Sequence, residues 1–134
     1  MADRTLTVDA IILMDNNIVL IKRKNPPFEG YYALPGGFVE RGETVEQALI
    51  REIKEETGLD IRIVKLVGVY SDPDRDPRGH VISLCYLVRA SGTIAPDSDA
   101  GDVELFDVSR LPELAFDHEQ MVNDAMEDIN GILS

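Results

Sequence analysis

Cysteine, basic residues and long apolar runs are all scarce in this 134-residue sequence, and each shortage closes off a class of protein. The single cysteine, Cys85, rules out an internal disulfide; within the run Val81–Val88 it reads as a small buried thiol. No apolar stretch approaches the ~20 residues of a membrane-spanning helix, and Met1-Ala2-Asp3-Arg4 holds no apolar signal core. The expectation is a soluble, cytoplasmic protein with no membrane partner. Basic residues number 13 against 25 acidic ones, a formal charge of -12. Such a surface is a poor match for nucleic acid, which requires a basic one. An anionic small molecule would be repelled too, unless divalent cations mediated the encounter. Repeats, low-complexity tracts and linkers are also missing, so residues 1–134 are expected to form one domain, long enough for a core of its own.

What is present is a regular succession of elements. Thr5–Met14 reads as a strand, Asp15-Asn16-Asn17 as a tight turn and Ile18–Arg23 as the partner strand. Asn25-Pro26-Pro27 breaks the pattern, and an irregular stretch is expected up to Pro35-Gly36-Gly37. Strands are expected over Ile61–Tyr70, Val81–Val88 and about Val103–Val108, with a loop between Ser71 and Gly79. A last helix is expected from an N-cap at Asp117 to about Ile129, with Gly131 beyond its end. Strands first, a helix in the middle and a helix at the end imply an α/β protein, a mixed sheet with helices packed on it.

The central helix conflicts with its own local preferences. Thr44 is a good N-cap, Gln47 completes a capping box, and Gly58 is a natural stop. Leu49, Ile50 and Ile53 supply an apolar face. At about 100° per residue from Arg51, the carboxylates Glu52, Glu55 and Glu56 fall at roughly 100°, 40° and 140°, on one side of the helix. Like charges at these spacings cost about 0.2–0.5 kcal/mol per pair. Glu55 and Glu56 also occupy the last turn, where the helix dipole favours cations by about 0.3–1 kcal/mol. A conflict of this kind tends to mark a functional site. A bound divalent cation removes both penalties, and ligands that are all oxygen select Mg²⁺ or Mn²⁺. A solvated glutamate face is the plainer reading, and for an isolated Glu-Glu pair it would be preferred.

The wider spacing changes that preference. Gly37, five residues, Glu43, seven residues, then Arg51-Glu52-Ile53-Lys54-Glu55-Glu56-Thr57-Gly58-Leu59 resembles the Nudix box at every defined position. The preceding Ala33-Leu34-Pro35-Gly36-Gly37-Phe38-Val39-Glu40 is similar to the loop that enters the box in that family, with Tyr32 where many members have tryptophan. The resemblance implies the Nudix fold, a mixed β-sheet sandwiched between helices (α/β/α). It implies metal-dependent hydrolysis of a diphosphate bond in a nucleoside diphosphate linked to a variable group. Glu52, Glu55 and Glu56 would be metal ligands, joined by the backbone carbonyl of Gly36 and, as an outer ligand, Glu43. Arg51 would orient the glutamates. The box does not fix the general base; Glu52 is one candidate, and an acid on the late loop Asp97–Glu104, Asp102 or Glu104, is the other.

Substrate is read from the segment Ser71–His80. Arg75, Arg78 and His80, on a proline-stiffened loop, are candidates for binding phosphate or ribose oxygens. The competing reading is a surface loop whose Asp and Arg side chains pair with each other. Arg75-Asp76-Pro77-Arg78-Gly79-His80 resembles the segment after the box in ADP-ribose pyrophosphatases, and Leu114-Ala115-Phe116-Asp117-His118 resembles their C-terminal segment. His118 by itself reads as a helix-start residue. Two departures concern the base: Leu105-Phe106 replaces the usual aromatic pair, and Asp102 stands where several relatives carry glutamate. The expected activity is ADP-ribose to AMP and ribose 5-phosphate. The alternatives are a nucleoside triphosphate pyrophosphohydrolase and, with less support, a non-catalytic ADP-ribose sensor. Relatives of this kind are commonly dimers, so a homodimer is expected.

Overall fold

The structure is a computed structural model, and residues 5–95 and 102–134 are described. Among these described residues nine elements follow in chain order: β1 (Leu6–Met14), β2 (Asn17–Lys22), β3 (Tyr32–Ala33), β4 (Gly36–Phe38), α1 (Val45–Thr57), β5 (Asp60–Tyr70), β6 (Ile82–Ser91), β7 (Asp102–Asp107) and α2 (His118–Leu133). The strands form one mixed sheet ordered β3-β2-β1-β6-β5, with β4 added on β1 and β7 on β2. Among the strands of the described residues only β1 and β6 pair in parallel; the other strand pairs are antiparallel.

β1 is buried along nearly its whole length because a helix covers each face of the sheet. Its alternate residues feed two cores: Ile11 and Leu13 join Met121, Ala125 and Ile129 of α2, while Val8, Ala10 and Ile12 join Ala48, Leu49 and Ile53 of α1. Cys85 lies in the α2-side core, and burial pushes its thiol well above the ordinary range, as the sequence reading of an inert thiol required. The α/β/α sandwich expected from sequence is the observed fold.

One feature of β1 opens a cleft. It pairs with β2 only at its far end, Leu13 with Ile18 and Met14 with Asn17, and nearer its start takes β4 as partner instead, Thr7–Asp9 against Gly36–Phe38. β2 diverges from β1, and β3 follows β2 through Ile21–Ala33 and Lys22–Tyr32. The gap between the diverging strands becomes the floor of the site. β3 and β4 correct the sequence reading of an irregular stretch up to Gly37: two- and three-residue strands carry no periodicity of their own and exist only through their partners.

The last helix needs two corrections. It runs to Leu133, so Gly131 lies inside its final turn; Ile132 and Leu133 pack against the α2-side core and carry the helix past the glycine. Asp117 is at the N-cap position, but its side chain makes no capping bond. Its carboxylate is taken by Arg75 instead.

Candidate active site

Helix α1 is built as its local sequence demands. Thr44 accepts the Gln47 amide, the Gln47 side chain returns to the Thr44 amide, and Gly58 closes the helix in the left-handed region at φ 77°. Ala48, Leu49 and Ile53 are completely buried. Each such aliphatic side chain of valine size or larger contributes roughly 1.5–3 kcal/mol on burial, which outweighs carboxylate repulsions of about 0.2–0.5 kcal/mol per pair. The helix can therefore hold its acidic turn against the sheet.

Arg51 organises that turn. Its guanidinium makes a two-pronged pair with Glu43 at 2.7 and 2.9 Å, reaches Glu52 at 2.7 Å and the Phe38 carbonyl at 3.2 Å, and lies 3.5 Å from Glu55. These bonds, with Glu43 first, hold Arg51 above its ordinary pKa, and Arg51 in turn draws the Glu43 carboxyl down to about 2. The Gly36 amide donates to Glu56 at 3.1 Å. Burial, then the Glu52 charge, push the Glu56 carboxyl up to about 9; burial likewise raises Glu52, partly offset by Arg51. A Cβ at Gly37 would sit 2.5 Å from the Glu52 carboxylate, so any larger residue there would push that carboxylate out of its place.

A carboxyl forced toward its neutral form beside another carboxylate marks a site short of positive charge. The donor set is oxygen only and fits a hard divalent cation. Among the described residues no three such groups already converge as metal ligands: Glu52 turns to Arg51, Glu56 to Gly36, and Glu55 points outward, half exposed.

Glu56 lines a cleft of about 220 Å³ together with guanidinium groups from Arg23, Arg75 and Arg78. Arg23 and Arg78 both lie over the Phe116 ring, at 5.0 and 5.4 Å. Burial first, and then the Arg78 charge, lower the Arg23 pKa. Arg78 is also clamped to Asp76, with nitrogens 2.7 to 3.2 Å from its carboxylate oxygens; burial would raise the Asp76 carboxyl, but the bonds to Arg78 outweigh it and hold it low. Arg75 is buried and spends its donors on both Asp117 oxygens, at 2.9 and 2.7 Å, and on the Val81 carbonyl at 3.2 Å.

The remaining sequence candidates fall elsewhere. His80 does not line this cleft; its Nε2 lies 2.9 Å from the Ser71 carbonyl. Asp102 and Glu104 correct the reading of a late loop, since both are on strand β7, opposite Lys22 and Leu20, and Glu104 accepts from the Tyr32 hydroxyl. Residues 97–101 of that segment lie outside the described residues. Sequence reasoning missed Arg23 and Asp9 as cleft residues and gave His118 only a helix-start role, although all three line the cleft. The lone arginine after β2 carried no motif, and an Asp within an apolar strand was the one available signal.

The diverging sheet and the glutamate-bearing helix together define a class. The NUDIX domain model matches residues 3–125, and the chain belongs to that family. It is a Nudix hydrolase, with a family dependence on divalent metal ions. Nearer relatives narrow the class. The chain is 58% identical, over 127 residues, to an ADP-ribose pyrophosphatase of Methanocaldococcus jannaschii, covering 94% of this chain and 75% of that one. Among solved structures it is similar to the NUDIX domain of Shewanella oneidensis NrtR complexed with ADP ribose (TM-score 0.79, 30% identity, 96% of this chain, 90% of that one). It is also similar to a bifunctional NMN adenylyltransferase/ADP ribose pyrophosphatase from Francisella tularensis complexed with AMP and a manganese ion (TM-score 0.82, 29% identity), covering 96% of this chain and 43% of that one. The chain spans about half the length of other curated relatives it matches.

Proposed function

We propose that the chain hydrolyses ADP-ribose to AMP and ribose 5-phosphate, with Mg²⁺ or Mn²⁺ bound at the C-terminal turn of α1. The observation that carries this reading is the cleft that brings the Glu56 carboxyl together with the guanidinium groups of Arg23, Arg75 and Arg78. Glu52, Glu55, Glu56 and the Gly36 carbonyl would hold the cation, with Glu43 as an outer ligand. The cation supplies neutralisation of the diphosphate and activation of water. Arg51 keeps Glu43 and Glu52 oriented through the bonds described above. Arg78 and Arg23, stacked on Phe116, are placed to take phosphate or ribose oxygens. Arg75 braces the wall through Asp117. Glu52, beside the cleft residues Gly37 and Glu56, is the better-supported general base, because Asp102 and Glu104 are held in β7 and Glu104 is taken by the Tyr32 hydroxyl.

The reading also takes residues 1–134 as one catalytic domain acting on a small-molecule nucleotide, and as a homodimer. The exposed Val64, Leu66 and Val69 of β5, at the sheet edge, support the last point. A monomer by analytical ultracentrifugation would remove it. No described helix is long and apolar enough to cross a membrane.

The test is a panel of ADP-ribose, other nucleotide sugars, dinucleoside polyphosphates and nucleoside triphosphates, assayed with Mg²⁺ and with Mn²⁺. ADP-ribose is expected to give the highest kcat/KM. A deoxynucleoside triphosphate turned over far more efficiently would make the chain a triphosphate pyrophosphohydrolase. Binding of ADP-ribose without turnover would make it a sensor.

A further inference from the structure

The first turn of α2 carries a buried imidazole to which the proposed chemistry assigns no task. His118 is 4% exposed. Its Nδ1 accepts the Leu34 amide at 3.0 Å, across 84 residues of chain. Its Nε2 lies 3.7 Å from Oδ1 of Asp9, whose Oδ2 accepts the Ser83 hydroxyl. An imidazole that accepts at Nδ1 carries its proton on Nε2, and the Asp9 carboxylate on that side favours this tautomer. Ser83 fixes the carboxylate, the carboxylate orients the ring, and the ring is left as an acceptor.

The amide it holds is part of a short, fully pinned segment. Leu34 is tied to α2 through His118, the Pro35 carbonyl to β1 through the Ala10 amide at 2.9 Å, and the Gly36 amide to α1 through Glu56 at 3.1 Å. Proline in the middle fixes one backbone torsion, which leaves less freedom to absorb a displacement at Leu34 before it reaches Gly36. Gly36 is already packed as closely as a residue can be: a Cβ there would lie 2.1 Å from the Val8 carbonyl oxygen and 2.7 Å from Asp9 Oδ1. At the other end the anchor is rigid. Asp117, next to His118, is locked to buried Arg75, and Phe116 before it is held at φ 53°, a left-handed conformation that bulky side chains rarely adopt.

We propose that His118 is a positioning residue: through the Leu34 amide it sets the Gly36 peptide against Glu56 and so fixes the geometry of the cation site at the end of α1. The inference rests on the proposed function only in giving that site a cation. A ring that merely filled space against Phe116, 5.4 Å away, would not need its Nδ1.

Three substitutions separate the roles. Asparagine places an acceptor where Nδ1 stands, glutamine places it one carbon further out, and phenylalanine keeps a ring without an acceptor. Mn²⁺ binding is measured by paramagnetic resonance with no substrate present, and exchange of the Leu34 and Gly36 amides by NMR. His118→Phe and His118→Gln are expected to weaken Mn²⁺ about tenfold or more and to speed exchange at both amides. His118→Asn should stay within about threefold of wild type in both. In turnover, the loss should fall on kcat, with KM for ADP-ribose little changed. A near-normal Phe variant overturns the proposal, as does equal impairment of all three. If the Phe variant does not fold, the wild-type imidazole decides: nitrogen NMR should show Nδ1 unprotonated, and a proton found there overturns the assignment. A wild type that hydrolyses no ADP-ribose would sink the proposed substrate, while the Mn²⁺ and amide measurements would still judge His118.

Discussion

Arg75 and Arg78 sit three positions apart on one loop, and their surroundings give them different work. Arg75 is almost wholly buried and fully bonded, whereas Arg78 is 44% exposed in its side chain and shares the Phe116 ring with Arg23. Arg78→Ala should lose catalytic efficiency, and some stability as well, because it leaves the buried Asp76 carboxylate without its partner. One lost hydrogen bond to a charged group costs about 1.5–3 kcal/mol, roughly a ten- to hundredfold fall in kcat/KM for ADP-ribose. Arg75→Ala should act through stability, since it leaves the Asp117 carboxylate unpaired at a cost of about 3 kcal/mol, a melting-temperature drop of roughly 10 °C. Melting curves and kinetics on both variants check the split. A stable Arg75→Ala protein with normal melting would mean that the buried pair does not brace the loop.

At the scale of elements, α1 is the part most fully legible from sequence. Its cap, its stop and its carboxylate side are set by residues within one or two turns of each other, so local chemistry is enough. α2 shows the opposite. Asp117 looked like a capping residue until Arg75, 42 positions earlier, took its carboxylate. Gly131 looked like a stop, but a glycine costs a helix only about 1 kcal/mol, and the packing of Ile132 and Leu133 outweighs it. The stop that does hold, Gly58, has a second reason: besides φ 77°, a Cβ there would meet the Ala95 carbonyl oxygen at 2.5 Å, where the chain leaving β6 bonds back to Thr57. Gly58→Ala should cost at least the ~1–2 kcal/mol of a left-handed alanine. Thermal denaturation checks this, and an unchanged melting temperature would show that the Ala95 segment moves aside freely.

For the molecule as a whole, the charge of -12 and the raised Glu56 carboxyl give metal and pH opposing effects. The folded state holds a proton on Glu56 up to about pH 9, while the unfolded chain releases it near 4.5. The folded state thus binds more protons between those values, and the metal-free protein should lose stability as pH rises through that window. A divalent cation competes with that proton, so Mg²⁺ or Mn²⁺ should raise the melting temperature, and more so at pH 8.5 than at pH 6. Glu56→Gln keeps an acceptor for the Gly36 amide but cannot ionise. It should lose most activity, show a flatter pH profile without metal, remain at least as stable as wild type in EDTA, and respond little to the cation. Equal metal shifts in both proteins would place the bound cation elsewhere on the acidic surface.

The sequence by itself determined the helix with its capping box and its carboxylate side, the strands long enough to show alternation, and the family to which the chain belongs. All of these depend on spacings shorter than about two dozen residues. Tertiary structure decided the rest. The cleft exists because β1 changes partner from β2 to β4, a long-range pairing with no local signature. Arg23, Asp9 and His118 become neighbours of Glu56 only when that sheet has formed; the bonds that fix the last two, to Ser83 and to Leu34, span 74 and 84 residues. A side chain's chemistry is written at its own position, but the partners that give it a task are chosen by the fold.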